Sequence, residues 1–308
     1  MGGAPICKGC GQAIGGAYVT AMGATWHPEH FTCAACGRPI GDASFYQHQG
    51  APYHVECYRR HIAPRCAYCG RPLIGQYLVD HWGTKFCAEH EGQYPRCRFC
   101  GRLVPPQQQG GHASRGDDIR CPICRASAID YIAQARPLFA RLVQWVNGQG
   151  LLYNNLNLHI ELRTRKQLAQ FLRESGDTQS LGATLHTTYT ENGRVVRTEV
   201  NGVAILRGLP STLFQGVTVH ELGHAWLAVH RVTDLPRWAE EGFCELLAHR
   251  FYLQMNTAES RYHATAIERQ ADPVYGDGFR RIRALAEAVG FPSLLRTLRA
   301  TKQLPVIR

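Results

Sequence analysis

Two kinds of hydrophobic patterning divide the chain near Arg125. Before that point apolar residues stand singly among Gly, Pro and aromatic positions, with no long helical period. Beyond it they recur at helical or alternating spacing. Residues 126–146 read as a helix interrupted near Pro137, and 156–162 alternate like a strand. A short helix over 166–174 follows. Segments 184–190, 195–200 and 203–207 read as strands, with Glu191-Asn192-Gly193 as a hairpin turn. A long helix is predicted from Ser211, a suitable N-cap, to His230. Four more are predicted over 237–253, 257–270, 277–289 and 292–301. Strands first and helices after define an α+β domain.

Cysteine placement sharpens that boundary. Twelve of the thirteen cysteines lie between Cys7 and Cys124, and Cys244 stands alone. They fall into four sets with neighbouring histidines: Cys7, Cys10, His27 and His30; Cys33, Cys36, His54 and Cys57; Cys66, Cys69, Cys87 and His90; Cys97, Cys100, Cys121 and Cys124. Each set opens with a C-x2-C pair and closes with a second pair 16 to 20 residues later. Two such pairs complete a tetrahedron around zinc with no open position, so the sites are structural and supply folding free energy to small modules. Gly11, Gly37, Gly70 and Gly101 each follow the second cysteine of a pair, where a tight turn needs them. His48, His61, His81 and His112 are left over; His81 is the one competitor, within the third set. The expected organisation is 1–62, 63–125 and 126–308, with a long Gln/Gly-rich loop from Pro105 to Asp118.

Composition bounds the remaining choices. The chain has 308 residues, 44% of them hydrophobic, enough for a sizeable core. No apolar run is long enough to span a membrane. The first residues lack the pattern of a secretion signal or a myristoylation site. An odd number of cysteines without such a signal points to metal binding in a reducing, cytoplasmic setting. The formal charge of +10 raises the question of nucleic acid. The cysteine-rich third, however, has no helix long enough to read bases between its ligand pairs. Neither a nucleic-acid nor a membrane partner is therefore expected.

Within the long helix stands His220-Glu221-Leu222-Gly223-His224. Histidines at i and i+4 share a helical face and can bind one metal, while the glutamate between them can take a proton from water on that metal. One helix later comes Trp238-Ala239-Glu240-Glu241-Gly242-Phe243-Cys244-Glu245, with sixteen residues between His224 and Glu241. Cys244 reads as a small buried residue.

These segments resemble known families. Trp26 to Cys33 is similar to the stretch joining the two fingers of a LIM domain, with His30 where cysteine is usual. Residues 66–124 are LIM-like, with six residues instead of two between His90 and Cys97. Trp238 to Glu245 resembles the W-x-x-E-G segment of gluzincin peptidases. That resemblance implies Glu241 as third zinc ligand, with Glu240 as the neighbouring alternative, and Glu245 as the carboxylate orienting the first histidine. The set of motifs, with HELGHAW (220–226), EEGFCELLAH (240–249) and YGDGFR (275–280), resembles the plant LIM-domain peptidases that restrict organ growth and are activated by ubiquitination. Such a family implies a zinc endopeptidase with a protein substrate, five zinc ions, and LIM modules that regulate or dock partners. Ubiquitin-interacting motifs precede the LIM unit in that family; this sequence begins six residues before its first ligand, leaving ubiquitin dependence open.

The mechanism so implied uses Glu221 as general base. It needs one further donor for the oxyanion, with Tyr275 first among Tyr252, Tyr262 and His263. The strand near Val203 to Arg207 is expected to act as an edge that pairs with extended substrate. The rival reading is a zinc scaffold whose peptidase domain binds without cleaving.

Overall fold

A computed structural model describes residues 3–41, 44–108, 119–153, 156–174, 179–192 and 194–306. Most of the Pro105–Asp118 loop, including His112, lies outside them, as does Gly193. The chain divides into two compact units, Met1–Pro95 and Arg96–Arg308. That division falls between the third and fourth ligand sets, inside the segment 63–125 read above as one module.

The first unit is built from short hairpins held between ligand pairs. β1 (Val19–Ala21) pairs antiparallel with β2 (Ala24–Trp26), β3 (Phe45–His48) with β4 (Ala51–His54), and a short helix α1 (Val55–His61) follows. Trp26, Phe31 and Phe45 join the first two fingers, ring to ring at 5.6 and 5.1 Å. Phe31 is almost fully buried in their small core with Ala21, Cys33 and Ile40. The third finger pairs β5 (Leu78–Val79) with β6 (Lys85–Phe86) and ends in α2 (Glu89–Gln93). The C-x2-C turns share one geometry. The N–H of the following glycine donates to the first cysteine's carbonyl at 2.8–2.9 Å, and that glycine takes φ between +70° and +74° in Gly11, Gly37, Gly70 and Gly101. This left-handed conformation favours glycine.

The second unit is α+β, as expected. It opens with α3 (Pro122–Ala126) and β7 (Ala128–Ile129), then α4 (Ile132–Gly148), β8 (His159–Arg163), α5 (Arg165–Leu172), β9 (Gly182–Glu191), β10 (Arg194–Leu206) and β11 (Leu209–Pro210). Five helices follow: α6 (Ser211–Val229), α7 (Arg237–Met255), α8 (Ala258–Arg269), α9 (Gly276–Val289) and α10 (Phe291–Thr301). The three-stranded sheet has the order β8-β10-β9, parallel on the β8 side and antiparallel on the β9 side. A Cβ at Gly202 would collide with the His159 carbonyl, so glycine is required at that close strand approach.

Several local expectations are corrected. Segments 195–200 and 203–207 form one strand, β10, with ladder irregularities at Val195/Arg197 and Val200/Gly202. β10 is central, and residues Val203, Ala204 and Ile205 are fully buried, so it cannot present an edge to substrate; β9 is the free strand on the α6 side. The helix expected from 126 starts at Ile132, because Ala128–Ile129 pairs with β11 and the Gln134 side chain accepts from the N–H groups of Asp130 and Tyr131 at 3.0 Å. It then runs unbroken through Pro137. Ser211 is the first helical residue instead of the cap; its N–H is drawn off to the Ser127 carbonyl at 2.8 Å, and Pro210 takes the N-cap position.

α6 is the core of this unit. Phe214, Val219, Leu222, Ala225, Trp226 and Leu227 leave it on different sides and all are buried. A helix apolar all round must be enclosed, and here β9 and β10 cover one side while α4 and α7 cover others. Two glycines let α7 approach α9. A Cβ at Gly242 would meet the Gly278 backbone, and one at Gly278 would meet the Trp238 carbonyl. Gly242→Ala should therefore cost about 1–3 kcal/mol through overpacking. Thermal unfolding should show the loss, against Gly148→Ala on open α4 surface, where alanine should be neutral or gain up to about 1 kcal/mol.

Candidate metal centres

Each of the four Cys/His sets assigned from spacing converges, its donor atoms all within 4.8 Å of one another. A zinc tetrahedron with bonds of about 2.3 Å to sulfur has edges of about 3.8 Å. The Cys69–Cys87 and Cys100–Cys121 sulfur separations are 3.8 and 3.6 Å. All thirteen cysteines are free thiols. His27 and His30 reach Cys10 and Cys7 at 3.5 Å, so His30 sits where a ligand is needed. Both ring nitrogens of His90 are buried without a hydrogen-bond partner. A cation would satisfy one of these otherwise costly orphans. Hydrogen bonding from the Arg71 side chain brings the Cys69 thiol down to about 6, towards the thiolate a metal needs. The donor chemistry of all four sets fits zinc. His81 lies outside its set and packs edge-on against Trp82.

A fifth cluster lies where α6 crosses α7. The Nε2 atoms of His220 and His224 are 3.2 Å apart. Glu241 Oε2 lies 3.3 Å from the first and 3.4 Å from the second. For bonds near 2.05 Å, the edge of a zinc tetrahedron is about 3.3 Å. Glu241 Oε2 is buried and makes no hydrogen bond. The spacing of the three donors therefore fits three ligands of a zinc ion. Burial opposes charge on the His220 imidazole, but Glu241 and Glu245 outweigh it and raise its pKa. Burial likewise opposes charge on His224, and Cys244, Glu240 and Glu241 drive its pKa well above the usual value. Burial pushes the Glu241 carboxyl up, yet the two imidazoles hold it well below the usual carboxylate range. Such a pocket selects positive charge.

The glutamates divide by contact. Glu241 faces both Nε2 atoms, Glu240 takes the far nitrogen of His224 (Nδ1, 3.0 Å), and Glu245 lies 3.5 Å from the far nitrogen of His220. Carboxylates in these positions fix ring orientation and tautomer. Glu221 is buried on the opposite side, against β9. Thr184 Oγ1 lies 3.1 Å from Glu221 Oε2 and 2.9 Å from the Glu221 carbonyl, and donates to this pair of acceptors. A Cβ at Gly182 would come within 2.8 Å of Glu221 Cγ, so glycine makes room for the carboxylate. Neither Gly182 nor Thr184 stood out in the sequence, since they precede Glu221 by more than thirty residues and only strand pairing brings them near.

The further donor candidates separate. Tyr275 is half-buried at the start of α9; burial and then Glu241 raise its phenol pKa, while the guanidinium of Arg237 beside it pulls the other way. Tyr262 instead turns its hydroxyl towards Gly101 of the fourth cysteine set. Tyr252 is wedged against Gly216 of α6 and stacks on His263 at 5.3 Å, where burial depresses the histidine to about 4. Cys244 is fully buried, as expected, but its sulfur also lies within 4.8 Å of donor atoms of His220 and His224. Burial pushes its thiol up to about 12.

A LIM-domain profile matches residues 7–62, and a DA1-like profile, described as Protein DA1, matches residues 162–266. The chain is 27% identical to Protein DA1 of Arabidopsis thaliana over 98% of its length and 68% of the relative's. It is 30% identical to Protein DA1-related 1 of the same plant, over 79% of the chain and 50% of the relative. It is also 25% identical to the LIM domain-containing protein HDR3 of Oryza sativa subsp. japonica, over 98% and 74%. The chain thus spans between half and three quarters of the length of these relatives. With a LIM domain ahead of a DA1-like domain, the chain has homologues along nearly its whole length among the DA1 and DA1-related proteins of plants.

Proposed function

We propose that this protein is a zinc-dependent endopeptidase in which His220, His224 and Glu241 hold the catalytic metal and Glu221 is the general base. The observation that carries this reading is the buried, hydrogen-bond-free Oε2 of Glu241, facing two imidazole nitrogens at tetrahedral-edge distances. Zinc bound there would supply Lewis acidity and lower the pKa of a bound water.

The chain's own residues do the rest. Thr184 holds one Glu221 oxygen, leaving the carboxylate to accept the proton of the attacking water and return it to the leaving amine. Glu245 and Glu240 keep the ligand imidazoles turned towards the metal. Tyr275, which has Arg237 beside it, is the donor to the charge that develops on the scissile carbonyl oxygen. Extended substrate pairs with the outer edge of β9, so that cleavage requires an unfolded or loop segment. The LIM modules, which are protein-interaction units, dock or regulate. Thirteen unpaired cysteines suit a reducing compartment such as the cytoplasm. Among the described residues no helix is long and apolar enough to cross a membrane.

Glu221→Gln should retain the full zinc complement and lose cleavage of an unfolded protein such as casein by at least about a hundredfold. Wild-type cleavage by that variant would remove Glu221 from the mechanism. His224→Ala should lower the measured zinc content by one ion and leave the other four. Glu245→Gln should keep the fold and weaken retention of that one ion against a chelator by about 10–100-fold. Unchanged retention would leave Glu245 without a role at the metal.

A further inference from the structure

The fourth cysteine set differs from the other three. Cys97, Cys100, Cys121 and Cys124 are all buried, at 2–5% exposure, whereas each of the other sets has an exposed cysteine, Cys10, Cys36 or Cys69. It belongs to the second compact unit, Arg96–Arg308. Phe99, Leu103 and Val104 around its first pair are buried too. A Cβ at Gly101 would meet the Tyr262 hydroxyl of α8 at 2.9 Å. The set is thus embedded in the fold that carries His220, Glu221 and His224.

Its second pair is tied directly to the start of α6. Arg120, next to Cys121, donates from Nη1 to the Gly208 carbonyl at 3.0 Å. The Gly208 N–H donates to the Ile129 carbonyl at 2.8 Å, and Leu209–Pro210 pairs with Ala128–Ile129. The Ser211 N–H donates to the Ser127 carbonyl at 2.8 Å. Ser127 caps α3, the helix that carries Cys124. Two routes, one from each cysteine of the closing pair, therefore converge on residues 208–211. His220 follows nine residues after Ser211 on the same helix. The first turn of α6 has no side-chain cap of its own, so these ties replace one.

We propose that the fourth tetrad is a structural zinc site of the DA1-like unit itself, and that its occupancy fixes the start of α6 and hence the seating of His220 and His224 against α7 and of Glu221 against β9. A closed four-thiolate site contributes folding free energy where it sits. Removing zinc here leaves four thiols inside the fold and frees the strand pair that launches the helix. Removing zinc from the third tetrad, in the other unit, leaves that pair untouched. The proposal rests on the tetrad binding zinc and on α6 carrying the site, and not on cleavage.

The test is hydrogen exchange of the zinc-loaded full chain, with metal content measured on the same samples, comparing Cys124→Ser and Cys69→Ser with wild type. Cys124→Ser should speed exchange of the Gly208 and Ser211 amides and the following turns of α6 at least tenfold, and should lose the catalytic ion with the structural one. Cys69→Ser should lose one ion and leave α6 exchange at the wild-type rate. The proposal is overturned if Cys124→Ser loses a single ion and keeps wild-type exchange in α6, or if Cys69→Ser disturbs α6 equally. Should Cys124→Ser prove insoluble, Arg120→Ala decides, because it keeps all four thiols and breaks only the tie to Gly208. Faster exchange at Gly208 and Ser211 supports the proposal, and wild-type exchange rejects it. Since exchange reads the helix and not turnover, this outcome is independent of whether the protein cleaves any substrate.

Discussion

Three acceptor atoms, two imidazole nitrogens and one carboxylate oxygen, converge to within 3.4 Å where α6 crosses α7. Left alone, such a cluster is costly, because buried lone pairs without a donor or cation forfeit their hydration. The surrounding fold is arranged around meeting that cost with positive charge. Glu240, Glu241 and Glu245 act together against the desolvation that would otherwise keep the imidazoles neutral. The same carboxylates that favour positive charge on the rings would favour a cation bound between them. The enclosed α6 helix and the crossing of α7 over it follow from the need to hold these donors rigidly from two elements.

Several motif residues serve the approach of backbones and not the chemistry. Gly242 stands beside Glu241 because α9 passes there without room for a methyl group. Gly278, within 275–280, is its counterpart, and Gly276 packs as closely on the Gln270 carbonyl. Arg281 covers the Trp238 ring at 4.4 Å on the same crossing. The two segments are therefore one packing unit, and a change in either moves Glu241. Gly182 plays the corresponding part on the sheet side, where the strand is pressed against Glu221.

The metal tetrads were legible in the sequence because their ligands lie close along the chain and the turn glycines mark them. The helical pair His220 and His224 was legible for a similar reason, since one helix fixes the geometry of i and i+4. Glu241 and Glu245 needed family resemblance, and only the crossing of α6 and α7 separates the contacts of Glu240 from those of Glu241. Thr184 and Gly182 were not legible, because strand pairing over a long sequence interval gives no local signal. The misplacement of the substrate edge has the same origin. Alternation identified β10 as a strand, yet its flanking by both β8 and β9 is a property of topology. The start of α6 was misread at Ser211 because cap preference says nothing of a competing acceptor, here the Ser127 carbonyl.

That acceptor shows how the cysteine-rich and DA1-like parts of the sequence interlock. Composition breaks at Arg125, where cysteine nearly disappears, but packing does not. Hydrogen bonds and strand pairing run from Arg120 and Ser127 into residues 208–211 across that break. A composition boundary records where one kind of side chain stops being used, whereas a folding boundary falls where few contacts cross. In this chain the two differ by about one zinc finger, because a buried tetrad can stand in for a hydrophobic core that so short a segment cannot assemble. The exposed tetrads hold their own small hairpins together. The buried one is positioned to hold the first turn of the helix on which the two histidines and Glu221 lie.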